Sequence, residues 1–209
     1  MKGFIDIHTH VQGSKNAIIN RFEHFEQDKT DFYYSLGLHP WYLTDVENQL
    51  ELLKKESVAS RVLAIGECGL DKVCDTKWET QIYAFEQQIA LAEKINKPLI
   101  IHCVRAYNEC LKLLKNVGVP AIFHGFNKKE ILARSILEAG FYLSFGTAMF
   151  NPGVSVLFRN LPLNRIFLET DDQISYSIED IYKSAAESRN IELDALILQI
   201  EKNFEKVFL

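Results

Sequence analysis

The chain has 209 residues, of which 47% are hydrophobic and 24% charged, and this balance predicts a single folded domain over 1–209 rather than a disordered polypeptide. A formal net charge of −5 argues against a broad basic surface that binds nucleic acid by neutralising phosphates, although bound divalent cations would add local positive charge. Because the apolar runs are short and Asp6 interrupts the N-terminus, we expect no membrane span and no signal peptide, hence a cytoplasmic protein with four free cysteine thiols.

Eight short β-rich segments alternate with amphipathic stretches, a pattern typical of parallel strands joined by helices. The predicted strands are 4–8, 17–20, 33–38, 62–66, 99–102, 121–124, 141–144 and 166–169. Apolar residues spaced by three and four predict helices from Trp78 and from Leu193, the second packing against a barrel wall, and Asp172 is predicted to cap a helix over 175–189. We predict an α/β fold, a compact (β/α)8 TIM barrel with degenerate first units, because such barrels usually need about 250 residues.

Residues of metal-binding types lie at or just after the ends of five predicted strands. They are His8, His10, Glu67, His102, His124 and Asp171. Because the carboxyl ends of parallel strands open onto one face, we expect these side chains to converge. His8 and His10 stand two apart on a strand and therefore point the same way, towards one ion. Imidazole and carboxylate ligands suit Zn²⁺, Mn²⁺ or Mg²⁺, and the set is large enough for two divalent metal ions.

Six motifs in chain order resemble those of the TatD-related metal-dependent hydrolases. They are FIDIHTH at 4–10, GLHP at 37–40, GECGLD at 66–71, PLIIH at 98–102, FHGF at 123–126 and LETD at 168–171. The Gly-Glu-x-Gly-Leu-Asp string is the most specific of them. The resemblance implies a fold similar to the amidohydrolase TIM barrels, two bound divalent metals and metal-dependent deoxyribonuclease activity.

The resemblance also implies a role for each ligand. By this resemblance, His8 and His10 would hold one metal, and His102 and His124 would hold the other. Glu67 would bridge the two metals, and Asp171 would bind metal and transfer the proton of the water. The catalytic candidates are therefore Glu67, whose two oxygens suit a bridge, and Asp171, a general base placed by coordination. Glu169 precedes Asp171 by two residues and is expected beside a histidine or deeper in the barrel, with the first placement favoured.

Polar and aromatic residues on neighbouring loops are candidates for substrate binding. Arg105 and Lys128, with Lys129 beside it, are the candidates for contact with a phosphate, and the alternative for the two lysines is an ordinary solvated charge. His39 is predicted to bind a phosphate or to donate a hydrogen bond to a metal ligand, with a simple turn at GLHP as the alternative. Trp41 could stack a base or sugar, although a core position is expected for it.

The ligand set together with the resemblance predicts a two-metal hydrolase of phosphoesters, with single-stranded DNA as one candidate substrate and with no membrane and no obligate protein partner evident. The alternatives are a C–N hydrolase of the amidohydrolase type and a metal-binding barrel that has lost catalysis. A polymerase-and-histidinol-phosphatase type of enzyme would need more histidines and acids. Glu67 stands where amidohydrolases frequently carry a lysine, which favours the phosphoesterase. A complete ligand set argues against lost catalysis, because structural metal sites rarely leave coordination positions open.

Overall fold

The computed structural model describes residues 1–25 and 32–209. Its strands are β1 (Asp6–Thr9), β2 (Ala17–Arg21), β3 (Tyr33–Leu36), β4 (Val62–Asp71), β5 (Leu99–Val104), β6 (Ala121–Phe123), β7 (Tyr142–Phe145) and β8 (Ile166–Leu168). Its α-helices are α1 (Val46–Glu56), α2 (Trp78–Ile95), α3 (Tyr107–Leu113), α4 (Glu130–Glu138), α5 (Pro152–Asn160), α6 (Ile178–Arg189) and α7 (Leu193–Phe208). All eight predicted strands are present, and they form one sheet in chain order.

The structure differs from the sequence prediction mainly at the ends of elements. β4 runs to Asp71 instead of ending at Gly66, because the GECGLD motif continues the strand along β5. The predicted cap at Asp172 is wrong. Helix α6 begins at Ile178, and Ser177 caps it in a reciprocal capping box with Asp180. The first β/α repeat of the barrel is degenerate as predicted, because residues 10–16 between β1 and β2 contain no helix.

Contacts divide the chain into two compact units. The first unit comprises Met1–Ile19 and Phe123–Leu209, and the second comprises Asn20–Ile122. All four cysteines are free thiols. Within the described residues, every helix is too short or too polar to cross a membrane. A cytoplasmic location stays a prediction.

In the first unit, the chain beyond β8 returns to β1. Thr9 and Asp171 form a parallel bridge there. The backbone N–H of Asp171 donates to the carbonyl of His8 at 2.9 Å, and the N–H of His10 donates to the carbonyl of Asp171 at 2.9 Å. Helix α7 packs against β8 as predicted, and the Asn203 amide donates to the carbonyl of Ile166 at 2.8 Å. The end of β8 is therefore fixed beside the end of β1.

In the second unit, β3, β4 and β5 pair in parallel, and helix α2 covers β4. Phe85, Ile89 and other apolar residues of the predicted stripe are buried. Two buried glutamines on the same helix face bind backbone instead. Gln81 accepts from the N–H of Asp71 at 2.8 Å, and Gln88 accepts from the N–H of Leu38 at 2.7 Å. Both satisfy backbone groups at the ends of strands, where loops lead into the candidate site.

Candidate metal centre

The first unit brings His8, His10 and Asp171 together at the end of β1. Asp171 Oδ1 lies 3.5 Å from His8 Nε2 and 3.4 Å from His10 Nε2. One donor atom from each residue lies within 4.8 Å of the other two. The two imidazoles thus share a direction, as their spacing predicts. Two imidazoles and a carboxylate at this separation fit a divalent transition metal.

The backbone of Asp171 is left-handed, with φ +57°. Aspartate and asparagine adopt this conformation more readily than most L-residues, so the position suits the residue type. At Asp171 the chain turns away from the direction of β8, and the Asp171 carboxylate faces the imidazoles of His8 and His10. The Asp171 side chain is 34% exposed, whereas that of His8 is fully buried. A solvent molecule can therefore reach the carboxylate.

Asp6 is a buried acid that sequence reasoning did not assign to the site. Its carboxylate accepts hydrogen bonds from the N–H of His8 at 3.2 Å, the N–H of Thr170 at 3.1 Å and the hydroxyl of Thr170 at 2.6 Å. Burial raises the pKa of Asp6 to about 7, although the hydrogen bonds from Thr170 and His8 act to lower it. Asp6 therefore ties His8 to the residue that precedes Asp171. The sequence signal for this role is an acid within the otherwise apolar segment FIDI at 4–7.

His124 follows β6 in the first unit and contacts Glu169. The distance from His124 Nδ1 to Glu169 Oε1 is 3.3 Å, and the N–H of Gly125 donates to the same oxygen at 2.6 Å. Glu169 thus lies beside a histidine, the placement that the sequence favours. Its other oxygen, Oε2, is buried without a hydrogen-bond partner among the described residues. Donor atoms of His124, Glu169 and Asp171 lie within 4.8 Å of one another and form a second group. An unsatisfied buried carboxylate oxygen fits a nearby cation.

The second unit brings Glu67, His102 and His39 together. Glu67 Oε1 lies 2.8 Å from His102 Nδ1 and 3.2 Å from His39 Nε2. The backbone N–H of Trp41 donates to His39 Nδ1 at 3.1 Å. Because Nδ1 is the acceptor of that bond, the ring proton of a neutral His39 is on Nε2, facing Glu67. This geometry suits a hydrogen-bond donor to Glu67, one of the two predicted roles for His39.

Two further residues orient the candidate ligands of the second unit, and neither was assigned from the sequence. Asp71 Oδ2 lies 3.2 Å from His102 Nε2. Burial acts to raise the pKa of Asp71, but hydrogen bonds from Trp41, Val73 and His102 outweigh it and hold this pKa below its usual value. A carboxylate on one imidazole nitrogen fixes the ring so that the other nitrogen can bind a metal.

Asn20, the other orienting residue, holds Glu67 from two sides. Its amide donates to Glu67 Oε2 at 3.1 Å, and its carbonyl oxygen accepts from the N–H of Glu67 at 2.9 Å. The hydroxyl of Ser35 donates a hydrogen bond to Asn20 Oδ1 at 3.4 Å. The polar residue at the end of β2 was the signal for this role.

The glycines of the GECGLD motif allow β4 to approach β5. The peptide bond between Gly66 and Glu67 is cis, and Gly66 and Gly69 have φ angles of +155° and +142°. A Cβ on Gly69 would lie 2.0 Å from the carbonyl oxygen of His102. No side chain fits in that space. The motif therefore serves the backbone contact that places Glu67 beside His102 as well as the ligand itself.

The predicted substrate contacts lie on loops after ligand-bearing strands. Arg105 directly follows β5, has φ +55° and is exposed. Lys128 and Lys129 are exposed on the loop before α4. Their contacts with substrate stay predictions. The expected core position of Trp41 is wrong, since the residue is 56% exposed.

Comparison with known proteins supports the resemblance read from the motifs. The model of the TatD related DNase family matches residues 2–209. A protein named an uncharacterized metal-dependent hydrolase from Buchnera aphidicola subsp. Baizongia pistaciae is 32% identical over 195 residues, which are 83% of this chain and 73% of that protein. YabD of Bacillus subtilis, also named an uncharacterized metal-dependent hydrolase, is 32% identical over 77% of this chain and 66% of its own length.

The fold is similar to the crystal structure of YjjV, a TatD homologue from Escherichia coli K12. The TM-score is 0.84 at 22% sequence identity, and the match covers 98% of this chain and 97% of the other. With the eight strands in chain order, this likeness confirms the predicted (β/α)8 barrel class.

Proposed function

The chain belongs to the TatD-related DNase family of metal-dependent hydrolases, and from this premise we propose that it hydrolyses phosphodiester bonds in single-stranded DNA or in smaller phosphoesters. We also propose that residues 1–209 act as one catalytic domain. The observation that carries the proposal is the group of His8, His10 and Asp171, in which two imidazoles meet a carboxylate that is 34% exposed. Three donors with an accessible carboxylate are typical of a catalytic metal site.

Two divalent ions, Zn²⁺, Mn²⁺ or Mg²⁺, are part of the proposal. His8, His10 and Asp171 would hold one of them. Glu67 and His102 would contribute to the other, with His124 as a further ligand implied by the family. Ions held there would lower the pKa of bound water towards neutrality and polarise a phosphoryl oxygen. The bridge assigned to Glu67 stays a prediction.

Asp171 is the proposed proton acceptor. One of its oxygens faces the two imidazoles, and a carboxylate offers a second oxygen that can take a proton from the attacking water. The left-handed backbone of Asp171 and its hydrogen bonds to β1 hold the carboxylate in place. In the second unit, His39 and Asn20 donate to Glu67, which orients that carboxylate.

Hydrolysis of amides is the alternative reaction, and Glu67 argues against it because amidohydrolases frequently carry a lysine at this point. The deciding experiment is hydrolysis of a single-stranded oligonucleotide, bis(p-nitrophenyl) phosphate and a panel of amides. The enzyme is first stripped with EDTA and then given Zn²⁺, Mn²⁺ or Mg²⁺. We expect phosphodiester cleavage that EDTA abolishes and one of the metals restores. Amide cleavage alone would support the amidohydrolase alternative, and a protein that binds metal without any turnover would support lost catalysis.

Arg105 is proposed to bind the substrate phosphate, and its removal tests this role. Arg105→Ala is expected to raise KM for a phosphodiester about tenfold with a smaller effect on kcat, because a charged hydrogen bond to a ground-state phosphate is lost. Lys115→Ala is the control, since it removes the same charge from an exposed residue of the second unit. Steady-state kinetics measure both. An unchanged KM in Arg105→Ala would remove Arg105 from the binding site.

A further inference from the structure

Two large aromatic side chains stand exposed directly after His39. Trp41 is 56% and Tyr42 45% exposed, on a short 3-10 helix over Pro40–Tyr42. Ten phenylalanines are buried among the described residues, so most large aromatic side chains of this chain lie in the interior and the exposure of an indole here needs its own explanation. Exposed aromatic rings at a loop commonly mark a binding surface. We call Trp41 and Tyr42 the aromatic platform.

The aromatic platform is held rigidly by its own contacts. The indole N–H of Trp41 donates to Asp71 Oδ2 at 2.6 Å. The Tyr42 ring stacks on the Phe22 ring, with centroids 4.4 Å apart and an angle of 16° between the planes. Rings that are fixed before a ligand arrives lose little conformational entropy when it binds. The exposed surfaces of both rings are therefore preorganised.

The platform touches the ligand group of the second unit. The Trp41 ring lies 5.5 Å from the ring of His39 and 6.4 Å from the ring of His102. The Tyr42 ring lies 5.4 Å from that of His39. Any ester held at Glu67 and His102 would bring the group next to its phosphate onto these rings.

We propose that the aromatic platform stacks an unpaired nucleobase of a nucleic-acid substrate, an inference that rests on the proposed phosphodiesterase function. A net charge of −5 gives the chain little general attraction for phosphates, so affinity for a nucleic acid needs another source. Stacking supplies it, and it tolerates every base because each has a π-face. Bases in a duplex already cover their faces with their neighbours. The platform therefore selects single strands and frayed ends.

The test compares two substrates that differ only in their bases. One is a hexamer of thymidylate and the other a hexamer of abasic tetrahydrofuran residues, both assayed with the metal-loaded enzyme. Trp41→Leu and Tyr42→Leu are expected to raise KM for hexathymidylate about tenfold and to leave KM for the abasic hexamer unaltered. Tyr42→Leu, which leaves the hydrogen bond between Trp41 and Asp71 in place, is also expected to leave kcat nearly unchanged. Tyr83→Leu is the control, because Tyr83 is an exposed tyrosine on α2 whose hydroxyl donates to Glu47. An equal loss on both hexamers, or no loss on either, would overturn the proposal.

Trp41→Phe separates stacking from support of Asp71. This variant keeps an aromatic ring but loses the hydrogen bond to Asp71. A KM for hexathymidylate much nearer to the wild-type value than that of Trp41→Leu is expected. The same loss in both variants would mean that Trp41 acts through Asp71 and would reject the platform.

A binding measurement keeps the platform testable if the wild-type enzyme cleaves neither hexamer nor bis(p-nitrophenyl) phosphate, the result that would reject the phosphodiesterase function. The chain has two tryptophans, so Trp78→Phe leaves Trp41 as the only indole. Hexathymidylate in the presence of Mg²⁺ should quench its fluorescence, and the abasic hexamer should not. Absence of quenching by hexathymidylate would refute the platform independently of turnover.

Discussion

Asp171→Asn is expected to lower kcat for phosphodiester hydrolysis by about a thousandfold while the protein stays folded. Asparagine has nearly the same shape as aspartate and also tolerates the left-handed backbone at φ +57°, so the turn beside β1 should survive. Its amide, however, can neither accept the proton of a water nor neutralise a cation beside His8 and His10. The measurement is steady-state kinetics at saturating metal, with circular dichroism to verify the fold.

The neighbouring acid provides a matched control. Asp172 is exposed, and its carboxylate accepts from the side chain of Gln173 at 2.6 Å. Asp172→Asn should therefore retain nearly full activity. Turnover close to wild type in Asp171→Asn would refute the proposed base. If excess metal restored full activity to that variant, Asp171 would be a ligand only, and the proton acceptor would have to be another group.

The parts of the site that could be predicted are those in which sequence position fixes spatial position. His8 and His10 stand two apart at the end of a short apolar strand, so strand alternation alone places both imidazoles on one side. Asp171 follows β8, and the ends of parallel strands share a face, which places this carboxylate near them. No long-range contact had to be known. Local patterns therefore sufficed to predict that these three side chains meet, and their binding of a metal stays a proposal.

The residues that hold the ligands in place could not be predicted in the same way, because their partners are distant in the chain. Asp6 binds Thr170 across 164 positions, and Asn20 binds Glu67 across 47. Trp41 was expected in the core on its hydrophobicity, yet a buried acid 30 positions away fixes its indole at the surface. Single polar residues of this kind carry no periodic signal. Only the folded chain shows which of them meet.

Gly69→Ala is expected to destabilise the protein by about 3–5 kcal/mol, the sum of a steric clash and of backbone strain. Its Cβ would lie 2.0 Å from the carbonyl oxygen of His102, a backbone atom that cannot turn away, and φ is +142°. Gly118→Ala is the control, because its Cβ would meet only Glu93 Oε1, at an ordinary 3.5 Å. Urea unfolding of the metal-free proteins measures both changes.

This comparison distinguishes two explanations of the GECGLD motif. If the glycines merely accompany the ligand Glu67, Gly69→Ala should unfold at nearly the same urea concentration as Gly118→Ala, and that result would contradict the packing explanation. If they are needed so that β4 can lie against β5, the loss is a large part of the roughly 5–15 kcal/mol that stabilises a typical domain. Soluble yield should then fall together with the unfolding midpoint. The distance of 2.8 Å between Glu67 Oε1 and His102 Nδ1 depends on that strand contact, so in the second case the glycines serve both the packing of β4 on β5 and the geometry of the site.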